Sequence, residues 1–414
     1  MQIVCQRACL PQAQDVTAFG TAQYDFAHAY YMLNANQSAP SRFLLATDTH
    51  FWPPSHSRSK WMAVSDAASE RDGLLIARST SVLLRLLDDL AAFARGGGDG
   101  AIHLGDAVCG GGGFNQSADV YTSSLRWLRA METRAAGNWP IHHVPGNHDL
   151  SPAGGGLRAW ESTMAATCIR DSSSPEESIA TCDVDGGSQP GADASPIYRS
   201  LLTSHPTWRL LLLDSMDGIE FDQDGHGHIG RAQLDWLAAE LEAAQHGGQK
   251  VVLLMHQLLM DPTGPAAMLR NSARRGKRTP NVLAPEVEVE EAGSNWIGFG
   301  DMIDNRKEVL ALIKRFRGVV RLSLHGHVHA NTLVHAYGVA FVTLSSTSEY
   351  PMQWHELQLD ADACEARILS FDLDLAEERR LSALRDTRPG HNRVKLGFQL
   401  GATMGERVVV PTCP

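Results

Sequence analysis

Short apolar runs alternating with amphipathic stretches from about residue 41 onward predict an α/β fold, with the working loops at the carboxyl ends of the strands. After residue 331 the helical pattern stops and β-type segments follow one another, which predicts a second sheet packed on the first. Polar clusters fall directly after the apolar runs, and that regularity carries the functional reading.

In chain order, the strand candidates are RFLLAT (42–47), AIHLG (101–105), IHHVP (141–145), RLLLLD (209–214), VVLLM (251–255) and VVRLSL (319–324). Between them, residues 80–95 carry Leu83, Leu84, Leu86, Leu87 and Leu90 on one side of a helix, and 121–135 and 231–244 follow the same period. A fourth helix is predicted over 304–316, with Asp304 placed to cap its start. TLVHAY, VAFVTLS, HELQL and EARILSF then read as antiparallel strands separated by Gly, Pro or Asp turns. Segments 51–78, 150–207 and 257–303 interrupt a domain spanning 41–372 and are too long for plain connections, so they read as insertions. Residues 1–40 and 373–414 read as extensions of that domain.

The 36 basic against 47 acidic side chains give a net charge of −11, the wrong sign for general nucleic-acid affinity. No apolar run approaches the roughly 18 residues of a membrane span. The opening MQIVCQRACL has neither a long apolar region nor a cleavage site, so a soluble, cytoplasmic protein is expected. The seven cysteines form no CxxC pair, which argues against a disulfide scaffold or a thiolate zinc site; a Cys168–Cys182 bridge within one loop stays open.

Five strand candidates run into oxygen and imidazole donors: Asp48-Thr49-His50, Gly105-Asp106, Gly146-Asn147-His148-Asp149, His256, and His325-Gly326-His327-Val328-His329. One such cluster alone is more often a cap or a satisfied core residue. Five in order, each at a strand terminus, converge their donors on one sheet edge. Carboxylate, amide and neutral imidazole, with no thiolate, suit divalent Mn, Fe, Zn or Co.

In this ordered set, D-x-H, G-D, G-N-H-D, a lone His and G-H-x-H, the chain resembles the calcineurin-like metallophosphoesterase superfamily over roughly residues 42–345. The resemblance implies a four-layer α-β-β-α sandwich of two mixed sheets with a dinuclear metal centre at the strand ends. It implies that Asp48, His50 and His329 hold the first metal, that Asn147, His256 and His327 hold the second, and that Asp106 bridges them. His148 matches the catalytic histidine, which is not a ligand. Two ions about 3.5–4 Å apart would bind phosphoryl oxygens and acidify a bridging water for in-line attack on phosphorus. His148 would then donate a proton to the leaving oxygen or stabilise charge in the transition state.

The chain departs from that pattern at Cys109, where many relatives carry a second Asp that orients the catalytic histidine; Asp149 or an insertion residue is the candidate replacement. Gly225-His226-Gly227-His228 also spells G-H-x-H but precedes the lone His256 and follows no apolar strand. A solvated turn is the stronger reading there, with substrate contact by His226 or His228 the lesser one. His103, His142 and His143 lie within strands and read as structural, and His325 sits behind the ligands.

The expected substrate is a small organic phosphate ester, mono- or diester, nucleotide-like esters included. Arg270, Arg274 and Arg275, with Lys277 and Arg278, could hold a second anionic group, although Glu286, Glu288, Glu290 and Glu291 follow and can neutralise them in solvent. Trp52, Trp61, Trp160 and Trp296 read mainly as loop packing. The helix IGRAQLDWLAAEL is similar to one in relatives that cleave small phosphodiesters or pyrophosphates. A catalytically silent binding scaffold is the first alternative, opposed by the completeness of the ligand set. A nuclease is the second, opposed by the acidic balance. Sequence does not set the metal identity or the oligomeric state.

Overall fold

The computed structural model describes residues 39–53, 70–110, 117–150, 159–165, 197–219, 226–261, 302–386 and 407–411. Pro40–Pro414 forms one compact unit. In chain order its elements are β1 (Ser41–Ala46), α1 (Glu70–Arg95), β2 (Gly100–His103), α2 (Ala118–Ala136), β3 (Ile141–His143), β4 (Arg199–Leu202), β5 (Trp208–Leu212) and α3 (Arg231–His246). There follow β6 (Lys250–Leu254), α4 (Arg306–Arg315), β7 (Val320–His325), β8 (Thr332–Ala336), β9 (Val339–Thr343), β10 (Gln353–Asp360), β11 (Glu365–Asp372), α5 (Ala376–Asp386) and β12 (Arg407–Pro411).

Two six-stranded mixed sheets result, in the orders β12-β11-β10-β1-β2-β3 and β4-β5-β6-β7-β9-β8. β1 pairs parallel with β2 and antiparallel with β10, while β5, β6, β7 and β9 run parallel in the second sheet. The expectation that the late strands make a sheet of their own is therefore corrected. They divide, β8 and β9 extending the sheet of β5–β7 and β10 and β11 extending that of β1–β3, a matter of long-range pairing that local periodicity does not encode.

The layering follows from side-chain alternation. Along β5, Leu210 and Leu212 point between the sheets, where they meet Phe43, Leu45, Ile102, Val252, Leu254, Leu322 and Leu324. Leu211 and Leu213 point the other way, onto Leu234, Leu237 and Leu241 of α3 and Val309 and Ile313 of α4. Both faces of these strands are buried, which is why they read as unbroken apolar runs and not as alternating ones. On the outer face of the first sheet, Leu83 and Leu87 of α1 pack with Tyr121, Leu125 and Leu128 of α2. Helix, sheet, sheet and helix thus form four layers.

Further corrections are local. Residue 331 is not the end of helical structure, since α5 follows β11, and β12 pairs with β11 at the edge of the first sheet. β4 lies inside the interruption 150–207 and pairs antiparallel with β5. Asp304 does not cap α4: Asn305 occupies the cap position without a side-chain cap, and Asp304 pairs with His226. Cys364, in the β10–β11 turn, is disulfide-bonded. Such bonds are rare in cytoplasmic proteins. Among the described residues no helix is long and apolar enough to cross a membrane.

A buried acid, Asp214, lies just beyond the end of β5. Asp214, 2% exposed, exchanges backbone hydrogen bonds with the Gln233 side chain of α3 and accepts from Met216 N at 2.8 Å. Burial raises its carboxyl to about 8, the Met216 N–H opposes this, and Asp217 and Glu161 add to it. The folded chain thus holds a proton that the unfolded chain releases above pH about 3.9. Stability from this group is present below that pH and is lost as pH rises toward about 8, by about 1.4 kcal/mol per unit. Asp214→Asn is expected to gain stability relative to the native chain between about pH 5 and pH 8 in denaturant titrations. A difference that stays flat with pH would contradict this assignment.

Candidate metal centre

Loops leaving β1, β2, β3, β6 and β7 bring the donors together. These strands belong to both sheets, so the donors meet where two sheets abut and not along one sheet edge. β2 lies between β1 and β3, which sets Asp106 in the middle. The glycines of the motifs make this possible. A Cβ on Gly146 would strike Asp106 Oδ1, and one on Gly326 would strike Thr47 Oγ1 and stand 3.0 Å from Asp48 Oδ2. No other residue lets these loops approach so closely.

Asp48 is fully buried. Its Oδ2 accepts from Thr47 Oγ1 at 2.7 Å and from His327 N at 3.1 Å, which turns Oδ1 toward His329 Nε2, 3.1 Å away. His50 Nε2 lies 3.1 Å from the same His329 nitrogen. Asp106 Oδ1 accepts from His148 N at 2.8 Å, leaving Oδ2 at 3.1 Å from His256 Nε2 and 4.0 Å from His50 Nε2. His327 Nδ1 lies 3.2 Å from His256 Nε2. Asp48, His50 and His329 thus form one group able to hold an ion, and Asp106, His256 and His327 another, with one Asp106 oxygen in reach of both.

These spacings fit cations. Donors on adjacent corners around an ion with bonds of about 2.1 Å stand about 3 Å apart, which is the separation found here. Two imidazole nitrogens facing each other can share at most one proton. Asp48 Oδ1, Asp106 Oδ2 and Asn147 Oδ1 are buried yet accept no hydrogen bond from the protein, a cost that native structures rarely leave uncompensated. Oxygen and nitrogen donors with no sulfur suit divalent Mn, Fe, Zn or Co.

The orientation of each ring is fixed from behind. His256 Nδ1 donates to Leu104 O at 2.6 Å, and His329 Nδ1 to Glu349 Oε2 at 2.7 Å, so both present Nε2 to the centre. Burial alone would lower both rings. Asp106 outweighs it at His256, and Glu349 and Asp48 outweigh it at His329, raising each to about 9. Burial and then the neighbouring His148 hold His50 near 3, hence neutral. Burial likewise works against the charge of Asp106 and Asp48, but His256 and His148 overcome it at the first and His329 and His256 at the second, leaving both carboxyls well below the usual range.

His148 sits beside this cluster, half-buried, its ring edge-on to His50 at 4.9 Å between centroids. It is also within reach of His50 and Asp106 as a third candidate group. Asp149 does not orient it: that carboxylate accepts from Val108 N and Gly146 N, both at 3.0 Å, and so braces the loops. Cys109 is buried and its thiol donates to His50 O at 3.1 Å. His325 binds Ser323 Oγ and Gln257 O behind the ligands, and His103 and His143 are held by Thr49 and Glu132.

His226 Nδ1 pairs with Asp304 at 2.9 Å, and Gly227 and His228 bridge to Ile303 and Met216, so residues 226–228 are held by pairing on both sides. Among the described residues neither histidine joins a metal-holding group. Trp52 and Trp160 are buried. Arg270, Arg274, Arg275, Lys277, Arg278, Trp61, Trp296, Cys168 and Cys182 lie outside the described residues. Sequence reasoning missed Glu349, whose only signal was an acid in a run of small hydroxylated residues, SSTSE. It also missed the backbone: Asp48, His50, Asp106, His327 and His329 all have positive φ, between 49° and 73°. Strain of this kind costs of order 1–3 kcal/mol per residue and concentrates at functional sites.

Asp106→Ala is expected to abolish tight binding of a pair of divalent ions, because it removes the one oxygen that both groups share. Equilibrium dialysis against Mn(II) with elemental analysis measures this; two ions retained per chain would contradict the shared role.

Comparison with known proteins agrees with the geometry. A family model described as Calcineurin-like phosphoesterase matches residues 41–331. Among solved structures the chain is similar in fold to a dimetal phosphatase from Danio rerio, at 14% identity over 81% of this chain and 96% of that one, with a TM-score of 0.52. More distant likenesses include GAP50 of Plasmodium, the anchor in the inner membrane complex (10% identity, 82% and 86% covered, TM-score 0.41), and a putative 5'-nucleotidase from Staphylococcus aureus (13%, 83% and 58%, TM-score 0.38). No curated protein matches the chain in sequence. The matched span runs from the start of β1 to just beyond the last histidine of the G-H-x-H turn, well over half of the chain, and the protein belongs to the calcineurin-like phosphoesterase family.

Proposed function

We propose that the protein is a dinuclear-metal-dependent hydrolase of a small organic phosphate ester. The observation that carries this reading is the convergence of six donor residues, Asp48, His50, Asp106, His256, His327 and His329, with the half-buried His148 beside them and a buried, unsatisfied Asn147 oxygen next to it in sequence. When bound, the two ions would neutralise phosphoryl charge and acidify a water for in-line attack.

The chain's own residues supply the rest. Asp48 and Asp106 set the charge of the centre, and the neutral Asn147 oxygen keeps it from becoming too anionic to polarise a phosphate. Leu104 O and Glu349 hold the His256 and His329 rings in one tautomer. The His148 backbone is tied to Asp106 at 2.8 Å, so its ring is carried at a fixed distance from the centre while remaining half-exposed. A partly exposed imidazole there is suited to protonating the departing alkoxide. The acidic balance of the chain, −11, favours small esters over polymeric nucleic acid.

Purified protein with added Mn(II) is expected to hydrolyse p-nitrophenyl phosphate or bis-p-nitrophenyl phosphate and to lose the activity to a chelator. His148→Ala is expected to lower turnover by about 10²–10⁴-fold with both ions still bound. A chain that holds two ions but releases no nitrophenol with any divalent metal would instead support a silent scaffold. Loss of metal in His148→Ala would make that histidine a ligand.

A further inference from the structure

We propose that Glu349 is a positioning residue for one half of the centre and that the loop ending on it, residues 346–349, sets Asp48 and His329 as a single unit. The inference rests on the metal-holding reading of the site and not on hydrolysis.

The loop leaves the carboxyl end of β9 and lies across the turn that follows β1. Ser346 Oγ and Ser348 Oγ both donate to the Asp48 carbonyl, at 2.8 and 2.7 Å. Thr347 donates twice to the Thr47 carbonyl, through N at 3.1 Å and Oγ1 at 3.2 Å. The loop is closed on itself, since Ser346 Oγ accepts from Ser348 N at 2.9 Å and Glu349 N at 3.1 Å. Four donors therefore fix two consecutive carbonyls, and Asp48 adopts φ of 55° against the preference of an L-residue. Such strain persists only where the surroundings over-determine it.

The loop's last side chain acts on the same half. Glu349, 1% exposed, receives His329 Nδ1 at 2.7 Å, and His329 Nε2 then stands 3.1 Å from both Asp48 Oδ1 and His50 Nε2. In the other half, His256 is backed by the neutral carbonyl of Leu104. A carboxylate behind an imidazole orients it and raises its basicity as a donor, and losing such a partner typically costs 10–100-fold in metal affinity. One buried acid with a four-bond clamp thus acts directly on the Asp48–His50–His329 group and touches the Asp106–His256–His327 group only through the His327 N–H that Asp48 Oδ2 accepts.

The two binding steps of the full-length chain are measured by calorimetry with Mn(II), without substrate. Glu349→Gln is expected to weaken one step by about 10–100-fold while the other stays within about twofold. Ser348→Ala, which removes one hydroxyl from the Asp48 carbonyl and keeps Glu349, is expected to weaken the same step by a smaller factor. Unchanged affinities in Glu349→Gln, or equal weakening of both steps, would overturn the proposal. Should Glu349→Gln fail to fold, Ser348→Ala decides, and two unaltered steps overturn it. A native chain that binds fewer than two ions would instead sink the metal reading itself.

Discussion

Two carboxylates, Asp48 and Asp106, are held 0% and 1% exposed at the meeting of the two sheets, and the site is organised around what can neutralise them. Burying a lone carboxylate is so costly that the group ordinarily takes up a proton. Here both stay well below the usual carboxyl range, because His256, His148 and His329 surround them and outweigh the cost of burial. A concentration of positive charge is therefore the condition on which the arrangement depends. Divalent ions meet it with fewer atoms than any set of side chains, and the donor spacings near 3.1 Å already suit them.

The rest of the fold serves that requirement. Parallel strands end in loops on the same side, so β1, β2, β3, β6 and β7 deliver acids and imidazoles to one place while their apolar bodies bury the core between and outside the sheets. Glycine in the G-D, G-N-H and G-H motifs is needed because the loops are nearly in contact, as the seats of Gly146 and Gly326 against Asp106 and Asp48 make plain. Stability is given up in return: five of the candidate ligands hold left-handed backbone, and the hydroxyls of Ser346, Thr347 and Ser348 compensate.

Much of this was legible in the sequence, for identifiable reasons. The parallel strands announced themselves as apolar runs because both faces are buried, and each ligand is local in sequence to a strand end, so Asp48, Asp106 and His256 could be placed without coordinates. What escaped was long-range or compositionally silent. Glu349 lies 20 residues from His329, and nothing in SSTSE marks it as facing that ring. β4 and β12 stand far in sequence from their pairing partners or in polar surroundings, and the division of the late strands between two sheets is a matter of pairing that periodicity does not encode. His226 and His228 show the converse, a motif match whose first histidine is paired with Asp304 and which, among the described residues, joins none of the metal-holding groups.

Anomalous diffraction from crystals grown with Mn(II) tests the central claim most directly. Two peaks about 3.5–4 Å apart are expected, both in contact with Asp106, one also with Asp48, His50 and His329 and the other with Asn147, His256 and His327. A single peak, or two peaks that share no Asp106 oxygen, would contradict the account.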